Sequence, residues 1–177
     1  MRIFLLTILT FLLNCKPEIT SQKPLNNNLN NSLKFNNDLG KNTLKLENNL
    51  IEKSIEKYYS KNEFENDLFG FWTNKSINKE QINQFGNEIS YTYELFGINN
   101  EKIYTFKEIG IKKIYLEKQN EIRGIELALK HMKEKQEITI FLPSFFAYGS
   151  LGDKKKILPN SPIIIKLKII NINKTKQ

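Results

Sequence analysis

The chain has 177 residues, with 27 Lys and Arg against 19 Asp and Glu for a formal charge of +8, 40% hydrophobic residues, and one Cys, one His and one Trp. One Cys closes no internal disulfide, and one Cys with one His cannot supply the four ligands of a structural zinc site. Aromatic residues at 11% and charged residues at 26% fit a folded domain held by an apolar core and exclude wholesale disorder. Lys is interleaved with Glu, as in Lys53, Glu56, Lys57 and in Lys130, Lys133, Glu134, Lys135. That mixing reads as a solvated basic surface, with neither nucleic acid nor metal as a partner; a nucleic-acid face would show itself by strong salt dependence.

Met1-Arg2 followed by the apolar run Ile3 to Leu13 has the form of a signal-peptide core, too short to cross a hydrocarbon layer of ~30 Å. Leu12-Leu13-Asn14-Cys15 resembles a lipobox, with Asn where a small residue usually precedes the Cys. Residues 1–14 are therefore expected to be a lipoprotein signal peptide and Cys15 the lipidated residue. Each buried methylene of an acyl chain adds ~0.8 kcal/mol of membrane affinity, so two or more chains anchor stably. An ordinary secretory leader with an incidental Cys is the alternative.

Residues 15–40 repeat Asn (Asn26, Asn27, Asn28, Asn30, Asn31, Asn36, Asn37) with Pro17 and Pro24, a composition expected of a disordered tether. From about Asn42 to Tyr59, Leu44, Ile51, Ile55 and Tyr58 recur at helical spacing. Residues 41–69 are read as one amphipathic helix and a linker. Gly70-Phe71-Trp72 opens the domain proper, 70–174, with Trp72 expected as the core anchor of a first strand.

Ile89 to Phe96 alternates, with Ile89, Tyr91, Tyr93 and Leu95 on one face, and Ile111 to Leu116 is a second short strand. Gly124 to Met132 reads as a helix that buries Ile125, Leu129 and Met132 and leaves His131 solvated. Glu137 to Leu142 is a strand, residues 143–159 a long loop carrying Lys154-Lys155-Lys156, and Ile163 to Ile172 a last strand with one side buried and one wet. Antiparallel strands with one intervening helix predict an α+β fold, a half-barrel sheet curled around that helix.

Ile122-Arg123-Gly124-Ile125, Met132, Phe145-Phe146-Ala147-Tyr148-Gly149, Ile157-Leu158-Pro159-Asn160-Ser161 and the alternating last strand together resemble the second half of an FKBP-type peptidyl-prolyl isomerase, without a gap from Glu121 onward. With Tyr104, Glu108 to Gly110, Gly70-Phe71-Trp72 and the leader, the chain is similar to the gliding-motility-associated FKBP lipoproteins of Bacteroidetes. The resemblance implies a cofactor-free isomerase acting on proline-containing polypeptides and assisting the folding of extracytoplasmic proteins. Its place would be the cell envelope, lipid-anchored on the periplasmic side of the outer membrane.

The family's site, carried onto this sequence, makes Tyr148 a phenol that donates to one substrate carbonyl and Ile122 a backbone N–H that holds another. Ile125 takes the position of the pocket floor, where the family usually has Trp, so the floor is apolar but shallower. Tyr93, Tyr104, Ile157 and Ile165 map onto the pocket walls, and Ile114 or Tyr115 onto the aromatic of the third strand. Thr105 stands where a carboxylate usually follows the aromatic at Tyr104. Thr105 and Ile125 keep open a second reading, a catalytically weak chaperone or client-binding module on the same fold. Without the resemblance, Ile122, Ile125 and Ile165 would read as plain core.

Overall fold

The computed structural model describes residues 26–118 and 120–174, with side chains from Leu39 onward. The expected leader, Cys15 and the first part of the tether lie outside the described residues. The chain divides into two units, Met1–Asn36 and Asn37–Gln177; what is described of the first is helical backbone.

Helix α1 spans Asn26–Tyr58, beginning well before the expected Asn42. Residues 26–40 are helical where a tether was expected, so Asn-rich composition, a weak prior against helix, did not decide the backbone there. In the second unit Glu47, Ile51, Ser54 and Ile55 are buried, a stripe one or two turns apart along one face. Leu39, Leu46 and Leu50 are exposed. Tyr58, expected on the buried face, is exposed, and Tyr59 turns inward instead, edge-on to Phe64 at 5.9 Å and Phe141 at 5.2 Å. Among the described residues no helix is long and apolar enough to cross a membrane.

Seven strands follow: β1 Phe64–Glu65, β2 Trp72–Asn74, β3 Glu88–Gly97, β4 Lys102–Tyr104, β5 Lys112–Tyr115, β6 Glu137–Leu142 and β7 Ile163–Asn173. They form one sheet in the order β1-β2-β6-β7-β3-β4, with β5 also on β3. Every pairing is antiparallel. The long central pair β3 and β7 sets the register, placing Tyr91 opposite Ile169, Tyr93 opposite Leu167 and Leu95 opposite Ile165. A register shift beside Tyr91 admits one extra residue in β7, so Ile89 faces Ile172 and both meet the main core. The expected strands over Ile89–Phe96, Ile111–Leu116, Glu137–Leu142 and Ile163–Ile172 correspond to β3, β5, β6 and β7.

Helix α2 covers Phe106–Ile109 and α3 Arg123–His131. Ile125, Ala128 and Leu129 of α3, with Met132 just beyond it, are fully buried against the inner face of the sheet, which supplies Ile89, Tyr91, Tyr93, Leu95, Ile140, Ile165 and Leu167. This is the α+β arrangement of a sheet curled on one helix. Gly124 is needed where α3 meets β6, because a Cβ there would come within 2.4 Å of the Leu142 side chain.

The outer face is not wet throughout. Phe96, Phe141 and Ile164 are buried there beneath Ile51 and Ile55 of α1 and Phe64, so the polar alternation expected along β7 fails at Ile164. Full burial of two isoleucines contributes roughly 1.5–3 kcal/mol each. Trp72 is half-buried beside this second cluster, not the core anchor expected of it; Phe71, one residue earlier, is buried in the main core. His131 is half-buried rather than solvated, its Nδ1 3.0 Å from the Asn78 carbonyl and its ring edge-on to Phe69.

Candidate functional site

All seven residues expected to form the pocket belong to the main core cluster or pack against it. Tyr93, Ile125, Ile157 and Ile165 are buried in it, and Tyr104, Ile122 and Tyr148 pack against it partly exposed. Strand pairing explains much of this. Leu95 is opposite Tyr104 on β4 and Ile165 on β7, so Tyr104, Leu95 and Ile165 form one row across three strands on the inner face. Ile125 and Ile165 have no exposed surface, so of the seven only Tyr104, Ile122 and Tyr148 keep appreciable exposure. For the third strand, Ile114 is buried and Tyr115 exposed, its phenol donating to Glu88 Oε2 at 2.6 Å.

Tyr148 stands in a short turn fixed at both ends. A 3-10 turn, Ser144–Phe146, leaves β6, and the Ser144 carbonyl accepts from Ala147 N at 2.9 Å and Gly149 N at 2.8 Å. Gly149 has φ +60, a left-handed conformation that glycine adopts freely. The Arg123 guanidinium lies 5.1 Å from the Phe145 ring centroid and 5.4 Å from that of Phe146, joining the first turn of α3 to this loop.

The phenols of Tyr148 and Tyr93 lie close enough to influence each other's ionisation. Burial, and next Tyr93, raises Tyr148 above the ordinary phenol range. Burial, then the Glu121 charge, pushes Tyr93 up to about 12. Both phenols thus stay protonated at neutral pH and remain donors. Tyr91 stacks on Tyr93 with centroids 6.4 Å apart, and its phenol donates to Glu121 Oε2.

Glu121 was not singled out from the sequence, although it adjoins the Ile-Arg-Gly piece. Its Oε1 accepts the Ile122 backbone N–H at 2.8 Å, and its Oε2 lies 3.5 Å from Lys112 Nζ. The N–H expected to hold a substrate carbonyl is therefore already engaged, and a carbonyl arriving there competes with a carboxylate.

Thr105 carries no pocket charge. It caps α2, accepting from Glu108 N while the Glu108 carboxylate accepts from the Thr105 amide. A carboxylate reaches Tyr104 from elsewhere: Asp153, in the long loop, accepts the Tyr104 phenol at Oδ2, 2.5 Å away. Its Oδ1 takes the amides of Lys155, Lys156 and Ile157 at 2.9, 2.9 and 2.8 Å. Lys156 is not simply solvated; its Nζ sits 4.6 Å over the Tyr104 ring and 2.6 Å from Glu108 Oε1. The Gly152-Asp153 turn signature was the one sequence cue to this contact. Among the described residues no group of three His, Cys, Asp or Glu is placed to hold a metal ion.

The sequence pattern of the FKBP-type peptidyl-prolyl cis-trans isomerases matches residues 79–170, more than half of the chain. The chain belongs to this family. No curated protein sequence matches it significantly. The fold is similar to that of a peptidyl-prolyl cis-trans isomerase from Pseudomonas syringae pv. tomato (TM-score 0.55, 16% identity, 76% of this chain and 96% of that one). It is also similar to FkpA from Escherichia coli (TM-score 0.55, 15% identity, 99% of this chain and 84% of that one). The N-terminal domain of FKBP42 from Arabidopsis thaliana gives a TM-score of 0.50 at 16% identity over 59% of this chain and 87% of that one. In this FKBP domain, then, strand pairing aligns Tyr104, Leu95 and Ile165 on the inner face, and a loop contact brings Asp153 to Tyr104.

Proposed function

We propose that this chain isomerises X-Pro bonds of extracytoplasmic polypeptides while anchored through lipid on Cys15 to the periplasmic side of the outer membrane. The observation that carries the catalytic part is that Tyr148, Ile122 and Tyr104 pack, partly exposed, against the same apolar core that buries Tyr93, Ile125, Ile157 and Ile165. Rotation about an X-Pro bond must break amide resonance against a barrier of ~20 kcal/mol and takes tens to hundreds of seconds unaided. The twisted amide is less polar than the planar one, so a water-poor apolar surface favours it, and no nucleophile is required. Tyr104 and the walls accept the proline ring, the Tyr148 phenol donates to one substrate carbonyl, and the Ile122 N–H to another once Glu121 yields it. The lipid anchor and the assignment of gliding-motility proteins as clients rest on the leader, Cys15 and the upstream residues quoted above.

The test is cis/trans exchange of short X-Pro peptides by NMR with the full chain and its Tyr148→Phe variant. Acceleration by the parent that falls in the variant supports the reading; a well-folded parent without acceleration rejects it. For the anchor, Cys15→Ala should leave the membrane fraction, and unchanged partitioning would reject lipidation.

A second reading is favoured by two observations, the engagement of the Ile122 N–H by Glu121 and the full burial of Ile125. It is a client-binding module with weak turnover. Such a module retains affinity for proline-containing peptides while leaving their exchange rate unchanged.

A further inference from the structure

Glu47 is a buried carboxylate on α1, outside the residues 79–170 that match the family pattern. Both of its oxygens are spent on one residue: Oε2 accepts the Ser144 amide at 2.7 Å and Oε1 the Ser144 hydroxyl at 2.7 Å. Burying a charge is costly unless strong hydrogen bonds compensate, and short charge-assisted bonds do so. Ser144 in turn accepts, through its carbonyl, the amides of Ala147 and Gly149, the two neighbours of Tyr148. Ile51 and Ile55, one and two turns further along, fix α1 on the outer face of the sheet. The path from a rigid helix to the tyrosine is thus Glu47, Ser144, then both flanks of Tyr148.

We infer that Glu47 is a positioning residue for Tyr148, and that α1 works as a brace for the loop bearing the site rather than as a spacer alone. The inference rests on the isomerase reading for its consequence in turnover, but the contact itself is testable without activity. A donor displaced by a fraction of its hydrogen-bond length loses its grip on the substrate carbonyl, so the effect falls mainly on kcat.

The experiment measures amide hydrogen exchange at Ala147 and Gly149 together with X-Pro exchange kinetics, using the full chain. In Glu47→Ala both amides should exchange about tenfold faster, and kcat should fall about tenfold with KM little changed. Glu47→Gln should restore most of both, because its carbonyl still accepts the Ser144 amide and its NH2 meets the hydroxyl oxygen. Ser144→Ala, which keeps the amide bond and loses the hydroxyl one, should fall between. Ile51→Val is the control for general loosening of α1 and should leave both readouts at parental values.

A folded Glu47→Ala with unchanged exchange at Ala147 and Gly149 overturns the inference, as does an equal change in Ile51→Val. If Glu47→Ala fails to fold, Glu47→Gln and Ser144→Ala decide by the same comparison, and parental exchange in Ser144→Ala counts against. An inactive parent overturns the isomerase reading alone, and the two amides still decide whether Glu47 holds the loop.

Discussion

Tyr104 and Asp153 stand 49 positions apart in the chain, yet the Tyr104 phenol donates to Asp153 Oδ2 at 2.5 Å. One residue ends β4 and the other lies in the long loop between β6 and β7. Their bond ties the loop to the edge strand and sets a carboxylate beside the Tyr104 phenol.

Acid should loosen that loop. The Asp153 carboxyl lies at about 2, against an ordinary 3.8; burial by itself would raise it, and the bonds from Tyr104 and the amides of Ile157, Lys155 and Lys156 outweigh it. A carboxyl depressed in the folded state contributes stability that is present above its unfolded pKa and lost as pH falls through the folded one. Protection of the Lys155, Lys156 and Ile157 amides from hydrogen exchange, relative to their intrinsic rates, should therefore fall between about pH 4 and pH 2 in the parent. Asp153→Asn should show low protection at neutral pH with no further acid step; an acid step in protection of parental size would refute the assignment.

Releasing Ile122 should strengthen ligand binding. A hydrogen bond to a charged group is worth ~1.5–3 kcal/mol, which a substrate carbonyl must offset to take the Ile122 N–H from Glu121. Glu121→Val frees that N–H and should lower KM for X-Pro peptides about tenfold or more. Glu121→Gln keeps an acceptor and should lie near the parent. A higher KM in a folded Glu121→Val would show instead that Glu121 orders the site through Tyr91 and Lys112.

Ile125 is fully buried, so Ile125→Ala acts first on stability. Truncating a buried isoleucine to alanine costs ~2–5 kcal/mol. Urea unfolding should show a loss in that range, and a loss under about 1 kcal/mol would place Ile125 at an open floor.

The outer cluster makes a parallel claim. Ile51→Ala removes buried volume between α1 and Phe141 and Ile164 and should also cost ~2–5 kcal/mol. A surface-like change, within about 0.5 kcal/mol, would mean that α1 does not dock in solution.

The pH profile of turnover should be flat from neutral into the alkaline range. Tyr93 is pushed up to about 12 chiefly by burial, Tyr104 to about 12 chiefly by its bond to Asp153, and Tyr148 is raised by burial and Tyr93. A raised phenol stays protonated, and so stays a donor, up to its folded pKa. A fall in kcat/KM near pH 8 would point to some other titrating group.

Strands β3, β6 and β7 and helix α3 were legible because each is long enough to show its period, as in Ile89, Tyr91, Tyr93, Leu95 or Ile125, Leu129, Met132. Strands β1 and β4 and helix α2 hold only two, three and four residues, too few for a period to appear. The seven residues expected in the pocket came from motif resemblance, and strand pairing sets two of them, Tyr104 and Ile165, in one row with Leu95.

The sequence by itself determined the inner face of the sheet, the helix packed on it and the family resemblance, since periodicity and local motifs are written along the chain. Only the tertiary structure decided that Glu47 meets Ser144, 97 positions away, that Asp153 meets Tyr104, and that Phe96, Phe141 and Ile164 are covered by α1. Those contacts depend on how loops run and where a helix docks. Polar side chains meeting across such distances leave no repeating pattern in the chain, so folding alone brings them together.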